Sequence, residues 1–187
     1  MDIDIDNLID AHIKGDEYAF SDIVRAHLPS AYNFAYRLIG NPEDAADITQ
    51  ESFLKAWKNL RRFKKGTSFK AWLFAIVRNS AIDLSRKKKI PVFSDIPIGE
   101  DNGGAEEIIR DDSPLPDEIL SDSERNKELR EYLKSIPPIY QEVITLRYDE
   151  DMSFEEIAQA LGRPTDTVRS QHRRGLQALR RKIPKEI

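Results

Sequence analysis

A long segment without any sustained apolar period lies in the middle of the chain and limits what the rest can fold into. From Ile90 to about Ser123 the sequence combines four prolines and three glycines with many acidic side chains. Such a segment buries too little apolar surface to order itself, and we interpret residues 91–123 as a flexible acidic linker. The linker divides the 187 residues into an N-terminal domain, 1–90, and a C-terminal domain, 124–187.

Both flanking segments carry apolar residues at helical spacing, and convincing strand alternation is missing from either of them. Breaks between helices are predicted at Gly15-Asp16 and at Gly40-Asn41-Pro42, and Pro29 is predicted to mark or begin a further helix. The sequence therefore predicts an all-α fold made of two small helical domains joined by the linker.

Composition excludes several classes of protein. The chain has no cysteine, which excludes disulfides, thiolate metal sites and a cysteine nucleophile. It also has no apolar run of the roughly 20 residues that a membrane helix needs, and its acidic start does not resemble a signal peptide. His12, His27 and His172 lie apart without the spacing of metal ligands. We expect a cytoplasmic, non-enzymatic protein with no catalytic residue, no metal, no cofactor and no membrane insertion.

The net charge of −4 conceals strongly charged blocks along the chain. Residues 1–54 carry a net charge of −8, residues 55–89 one of +11 and residues 90–131 one of −9. Residues 132–162 then carry −4 and residues 163–185 carry +7. Solvated helix faces that balance each other would produce such blocks, but two basic blocks that end in helical patterns favour two contacts with one nucleic acid.

A helix predicted from about Pro42 to Leu60 has two distinct faces. Its inward face is predicted to comprise Ala45, Ile48, Ser52, Ala56 and Leu60. Its opposite face carries Asp47, Gln50, Glu51, Leu54, Trp57 and Lys58. A tryptophan and a leucine framed by carboxylates and an amide predict a protein-docking patch, and the alternative is that a neighbouring helix covers Trp57.

The next predicted helix, 69–89, combines an aromatic side chain, an amide and cations on one face. That outer face carries Trp72, Ala75, Arg78, Asn79, Ile82 and Arg86. An aromatic ring can stack on an unpaired base, an amide can bond base edges and cations can hold phosphates, so this face suits unstacked DNA. The basic run at 86–89 adds a phosphate clamp, although cations at a helix C-terminus are also favoured by the helix dipole.

The C-terminal domain shows the pattern of a helix-turn-helix. Ser153 and Glu156 form a capping box, Gly162 makes the turn, and Thr165 is a possible cap of the last helix, with Pro164 in its first turn. The outward face of that last helix is rich in arginine, which suits the major groove of DNA. His172 lies on the apolar side of the same helix, where a packing role is expected.

With these motifs established, the chain resembles a bacterial sigma factor of the extracytoplasmic-function type in the sigma-70 family. The resemblance rests on the opening at 15–20, the acidic motif at 43–53 and the aromatic-basic segment at 69–89. It also rests on the capping segment at 153–158 and on Thr-Val-Arg-Ser at 167–170. It implies a factor that binds core RNA polymerase, directs it to specific promoters and helps to melt DNA for transcription initiation.

The resemblance also implies a role for individual residues. Contact with the polymerase β′ clamp helices would fall to Asp47, Gln50, Glu51, Phe53, Leu54 and Trp57. The residues implied to recognise and melt the −10 element are Lys64, Lys65, Ser68, Trp72, Arg78, Asn79, Arg86, Lys87, Lys88 and Lys89. Among them, Asn79 would contact a flipped base. Recognition of the −35 element would fall to Arg147, Arg169, Ser170, Arg173 and Arg174.

The implied partners are core RNA polymerase, through its β′ clamp helices and β flap, promoter DNA, and an anti-sigma protein that covers both domains. The acidic linker would pass through the basic channel of the polymerase. Four residues depart from the usual family pattern in the last helix, which leaves the −35 sequence open: Asp166, Gln171, His172 and Gly175.

Two other functions compete with this interpretation. A helix-turn-helix repressor or activator that never binds polymerase would explain the C-terminal domain but not the patch around Trp57. A metal-dependent nuclease would use Asp44, Asp47 and Glu51, which lie three and four residues apart, although a solvated acidic face also explains them.

Overall fold

The computed structural model describes residues 4–88 and 132–183, and within these ranges the chain is helical and contains no strand. The all-α prediction is therefore confirmed, while the predicted linker 91–123 lies outside the described residues. The helices are α1 (Ile5–Ile13), α2 (Glu17–Ile39), α3 (Pro42–Asn59), a 3₁₀ turn (Leu60–Arg62), α4 (Phe69–Lys88), α5 (Pro138–Tyr148), α6 (Phe154–Leu161) and α7 (Thr165–Arg180).

Polar side chains determine where the first three helices begin. Asp4 caps α1, Asp16 caps α2 and Asn41 caps α3, each by accepting hydrogen bonds from the backbone N–H groups of the first turn. Gly40 ends α2 with a φ of 73°, in the left-handed region that glycine adopts without a steric penalty. The predicted breaks at Gly15-Asp16 and Gly40-Asn41-Pro42 are therefore confirmed.

Helix α2 runs without interruption through Pro29, so the predicted helix boundary at that proline is wrong. A proline inside a helix removes one backbone hydrogen bond and costs about 3 kcal/mol. The cost is offset here because residues on both sides of Pro29 belong to one buried stripe, which includes Ile23, Phe34 and Leu38. Pro29 itself lies on the exposed face of the helix, where water can reach the unpaired carbonyl.

The N-terminal core forms where α2, α3 and α4 pack together. The rings of Phe34 and Phe74 stack with their centroids 4.9 Å apart, and Phe74 is fully buried. Each large apolar side chain buried in this way contributes about 1.5–3 kcal/mol to folding. The predicted inward face of α3 is confirmed, because all five of its residues are buried.

The C-terminal helices form the predicted helix-turn-helix. Both hydrogen bonds of the capping box are present: the Glu156 N–H donates to Ser153 Oγ at 3.2 Å, and the Ser153 N–H donates to Glu156 Oε2 at 2.7 Å. Gly162 ends α6 with a φ of 64°. The predicted cap of α7 is wrong, since Thr165 is its first helical residue and Pro164 occupies the capping position without a side-chain bond.

The two domains pack directly against each other. Helix α6 lies on α4, and the buried side chains of Met152, Ile157 and Leu161 belong to the same apolar cluster as Leu73 and Val77 of α4. In the described ranges, no helix is long and apolar enough to cross a membrane.

A glycine inside α7 allows that helix to lie close to α5. A Cβ atom at Gly175 would lie 2.7 Å from Ile144 Cδ1 and 3.0 Å from Tyr140 Cβ. Because Ile144 is only 5% exposed and Tyr140 Cβ is fixed to the α5 backbone, neither atom has room to move.

We therefore predict that Gly175→Ala destabilises the C-terminal domain by about 1–2 kcal/mol, despite the higher helix propensity of alanine. Urea unfolding followed by circular dichroism measures this change. Adding Ile144→Val, which removes the nearest methyl group, should recover part of the loss. A single variant as stable as the wild type would show that the two helices can separate without cost.

Candidate functional site

An apolar groove with a volume of about 820 Å³ runs between α2 and α3 on the surface of the N-terminal domain. Trp57 is 50% exposed and Leu54 is 51% exposed, so no described residue covers them. Phe53, predicted as part of the same patch, is only 6% exposed and lines the groove from below. Residues of α2 that the sequence analysis did not assign to this patch form the opposite wall: Phe20, Val24, Leu28, Pro29 and Tyr32.

Acidic and amide groups border this groove. Asp47, Gln50 and Glu51 are exposed on α3, and Glu51 Oε1 forms an ion pair with Lys55 Nζ at 2.9 Å. An apolar centre with a polar edge is the usual arrangement of a protein-binding surface. The exposed residues of α3 and the α2 wall thus form one apolar surface, and its role in binding a partner stays a prediction.

The acidic residues of α3 do not converge as metal ligands would. The Asp44 carboxylate is 11% exposed and pairs with Lys88 Nζ at the end of α4, while Glu51 pairs with Lys55. Within the described ranges, no group of three or more acidic, histidine or cysteine side chains is placed to hold a metal ion. The geometry thus gives the nuclease alternative no support.

The residues of α4 that are predicted to contact DNA differ in their exposure to solvent. Asn79 is exposed, whereas the Arg78 side chain is only 15% exposed and lies 3.7 Å from Glu142 of α5. Trp72 is half-buried against Phe63 and Phe69, with ring centroids 5.4 and 5.6 Å away. Its ring therefore packs at the start of α4 and is only partly available to a DNA base.

The loop before α4 has a defined conformation. Gly66 adopts a φ of 76°, and Thr67 Oγ1 donates to the carbonyl oxygen of Lys64 at 2.6 Å. Ser68 Oγ accepts a hydrogen bond of 3.2 Å from the backbone N–H of Ala71 and so caps the first turn of α4. Lys64 and Lys65 are exposed, and Lys65 pairs with Asp10 of α1.

The basic end of α4 is only partly free of internal contacts. Arg86, Lys87 and Lys88 are exposed, and Lys88 pairs with Asp44, which fixes the end of α4 to the start of α3. Lys89 lies outside the described residues.

The last helix carries its arginines on the side away from the core. Arg169 and Arg173 are exposed, and Arg169 pairs with Glu155 of α6 at 2.9 Å. Ser170 and Arg174 are half-buried beside them. Arg147 donates to the carbonyl oxygen of Met152 at 2.7 Å, so it stabilises the turn before α6 in this conformation.

Two departures from the family pattern have structural roles. Gln171, which the sequence analysis did not place in the core, is 3% exposed and accepts a 3.1 Å hydrogen bond from Arg163. His172 stacks on Tyr148 at 5.7 Å and meets the edge of Phe154 at 5.2 Å, as its predicted packing role requires. Burial lowers the pKa of His172 below its ordinary value of 6.5, and the nearby positive charge of Arg147 adds a smaller effect in the same direction.

Comparison with known proteins assigns both halves of the fold. The Sigma-70 region 2 family model matches residues 23–90, and the Sigma-70, region 4 model matches residues 126–179. The ECF RNA polymerase sigma factor SigW of Bacillus subtilis is 34% identical over 172 residues, which cover 91% of this chain and 91% of SigW. SigE of Mycolicibacterium smegmatis, also an ECF RNA polymerase sigma factor, is 36% identical over 169 residues, 89% of this chain and 63% of SigE.

Two solved structures share the architecture. CnrH in complex with the cytosolic domain of CnrY has a TM-score of 0.62 at 24% identity and covers 92% of both chains, which shows the fold alone. The sigma factor RpoE in complex with the anti-sigma factor NepR from Bartonella quintana has a TM-score of 0.62 at 25% identity, over 87% of this chain and 94% of RpoE.

A helical domain that matches Sigma-70 region 2, followed by a helix-turn-helix domain that matches region 4, identifies a two-domain transcription initiation factor. The chain belongs to the extracytoplasmic-function (ECF) sigma factors of the sigma-70 family. It acts as an RNA polymerase sigma factor, which binds core RNA polymerase, directs it to specific promoters and helps to melt DNA. Sigma factors are initiation factors rather than catalysts.

The lowered pKa of His172 has a consequence for stability. The folded state binds the proton more weakly than the unfolded state, so stability is lost as the pH falls below 6.5. His27, whose pKa burial also lowers, contributes with the same sign. We expect His172→Gln to reduce the loss of stability between about pH 7.5 and about pH 5.5.

Urea unfolding at the two pH values measures this effect. His27→Gln provides the matched comparison, because it should remove a separate part of the change in unfolding free energy with pH. An unchanged pH dependence in the His172 variant would contradict the role of this half-buried imidazole.

Proposed function

We propose that three surfaces of this sigma factor have separate roles in transcription initiation. The groove between α2 and α3 binds core RNA polymerase, α4 with its preceding loop recognises and opens the −10 element, and α7 recognises the −35 element. In this proposal residues 1–90 form the polymerase-binding and melting domain, and residues 124–187 form the −35 domain.

The exposed apolar groove carries the proposal for polymerase binding. Trp57 and Leu54 together present about half of their side-chain surface to solvent, beside a hollow large enough to receive side chains from a partner helix. Exposed aromatic anchors next to a pocket usually dominate the energy of an interface. The family resemblance identifies the partner as the β′ clamp helices, and the acidic border formed by Asp47 and Glu51 would favour basic side chains on that partner.

The exposure of Asn79 supports its proposed role at the −10 element. Its amide is exposed on α4, the helix that begins directly after the capped loop ending at Ser68. Extrusion of a base from the duplex costs a few kcal/mol, and hydrogen bonds to that base return part of the cost only for the correct sequence. Lys64, Lys65 and the basic end of α4 supply cations for the phosphates of the separated strand.

The outward face of α7 supports recognition of the −35 element. Arg169 and Arg173 are one helical turn apart and both exposed, which is the placement of side chains that contact base edges from a recognition helix. Arginine can bond guanine through two atoms, and the remaining arginines can hold phosphates. Arg147 would join them by exchanging its bond to the Met152 carbonyl for a phosphate.

Attachment of both domains to one polymerase gives selectivity that neither contact has alone. Each small domain makes a modest contact with DNA, and joining the two raises the effective concentration of the second. The acidic linker would occupy the basic channel of the enzyme.

We also propose that an anti-sigma protein regulates this factor in the cytoplasm. The related fold of RpoE was solved with the anti-sigma factor NepR, and that of CnrH with the cytosolic domain of CnrY. The groove is a suitable target for such a regulator, because a protein that covers Trp57 would compete directly with polymerase.

We predict that Trp57→Ala weakens binding to core polymerase by about 30-fold, the loss of about 2 kcal/mol typical of an aromatic anchor. A fluorescence titration of labelled factor with core enzyme measures the affinity. Tyr18→Ala is the matched control, because Tyr18 is 83% exposed on α2 but does not line the groove. Normal holoenzyme formation by the Trp57 variant would refute the assignment of the groove.

We predict that Asn79→Ala keeps its affinity for core polymerase but lowers the rate of promoter opening about tenfold, which corresponds to about 1.4 kcal/mol. Permanganate footprinting of unpaired thymines measures the opened bubble. Asp83→Asn, one turn further along the exposed part of α4, is the control. If the bubble of the Asn79 variant forms at the wild-type rate, Asn79 does not contact a flipped base.

A further inference from the structure

The first turn of α7 carries an acidic side chain on the same side of the helix as the arginines proposed to contact DNA. Asp166 is the second residue of the helix, and its side chain is 97% exposed. It is also one of the four residues at which this chain departs from the usual family pattern. A carboxylate that faces DNA is repelled by the phosphates, so its presence on this side requires a physical reason.

Helical periodicity places Asp166 in line with Arg173. Seven residues are almost two full turns, so the two side chains leave the helix within about 20° of each other. Arg169 lies between them, three residues after Asp166, and both arginines are exposed. Because the first residues of a recognition helix are those that contact base edges, Asp166 occupies a position from which a base can be reached.

The helix dipole offers one explanation for this residue. An acidic side chain in the first turn of a helix is stabilising by itself, whether or not the helix meets DNA. A capping side chain would turn back toward the backbone N–H groups, but Asp166 makes no such bond within the described ranges, and its carboxylate faces solvent. The dipole thus explains the charge, whereas the outward orientation leaves the carboxylate accessible to a base.

A neighbouring arginine offsets the repulsion between Asp166 and DNA. Arg169 Nη1 lies 3.8 Å from Asp166 Oδ1, and Arg169 Nη2 lies 2.9 Å from Glu155 Oε1 on α6. The same guanidinium group lies 5.9 Å from the centre of the Phe154 ring. At 3.8 Å the contact with Asp166 is too long for a hydrogen bond, so the carboxylate keeps its capacity to accept bonds from a ligand.

An ionised carboxylate only accepts hydrogen bonds, and this limits which base it can recognise. In the major groove the N4 amino group of cytosine is a donor, whereas guanine presents two acceptors and thymine an acceptor and a methyl group. Adenine presents a donor beside the acceptor N7, which would repel the second carboxylate oxygen. The base that fits Asp166 is therefore cytosine.

We propose that Asp166 determines part of the −35 sequence by accepting a hydrogen bond from the N4 amino group of one cytosine. This inference rests on the proposed function of α7, and it adds the identity of one base that the factor selects. Asp166 and Arg173 are separated by about 10 Å along the helix axis, which corresponds to about three base pairs. The selected C·G pair therefore lies within about three base pairs of the position that Arg173 contacts.

Replacement of the carboxylate by an amide tests the proposal, because asparagine pairs with adenine rather than with cytosine. The full chain is assembled with core RNA polymerase and transcribes templates randomised across both promoter elements, each with a transcribed barcode that is then sequenced. For the wild type, one −35 position should favour cytosine about tenfold. Asp166→Asn should change the preference at that position to adenine, and Asp166→Ala should abolish it, while the other positions keep their preferences.

Glu155→Gln is the matched control, since it removes the same charge beside Arg169 from a residue on α6. Any change that it causes should fall at the positions that Arg169→Ala also changes. If Glu155→Gln shifts the cytosine position as Asp166→Asn does, Asp166 acts through Arg169 and the proposal is wrong. Preferences measured within one variant do not depend on how much of it is folded, so a lost dipole interaction cannot shift a single position.

Two results separate this inference from the proposed function. If the wild-type holoenzyme selects a −35 sequence and the Asp166 variants select the same one, Asp166 contacts no base and only the inference is wrong. If the wild-type holoenzyme selects no sequence at −35, the proposed function of α7 is wrong, and the inference is overturned with it.

Discussion

Helix α4 is buried from two directions, by α2 and α3 within its own domain and by α6 of the C-terminal domain. Its buried residues therefore do not form a single apolar stripe, because Phe74 and Ala81 are fully buried in addition to Leu73 and Val77. Burial of apolar surface on the side that faces α6 supplies most of the energy that holds the two domains together. The same helix carries the residues proposed to open DNA, and Asn79 stays exposed among them although α6 packs on this helix.

The two faces of α3 separate folding from recognition. Residues such as Ile48 and Ala56 lie in the core, whereas Leu54 and Trp57 stay exposed on the opposite side. Helical periodicity makes this separation possible, since positions three and four apart share a face. A partner can thus bind the groove without any rearrangement of the core, which distinguishes this surface from α4.

Interactions within a few residues of each other could be predicted from the sequence. The capping box at Ser153, the turn at Gly162 and the breaks around Gly40 involve neighbours along the chain, and all were confirmed. The prediction of a boundary at Pro29 was wrong because distant packing outweighed a local preference. The burial of Gln171 was not predicted for the same reason, since its buried position involves a hydrogen bond from Arg163 across the turn.

The sequence by itself determined the helical fold class, the order of the motifs and the alternating charge blocks, because periodicity, capping and charge are properties of short stretches of chain. Only the tertiary structure decided which charges meet, as in Lys65 with Asp10, Lys88 with Asp44 and Arg78 with Glu142. It also decided that α6 covers α4 and that α2 completes the groove. These contacts join residues far apart in the chain, and their partners depend on how whole helices pack, which no local pattern specifies.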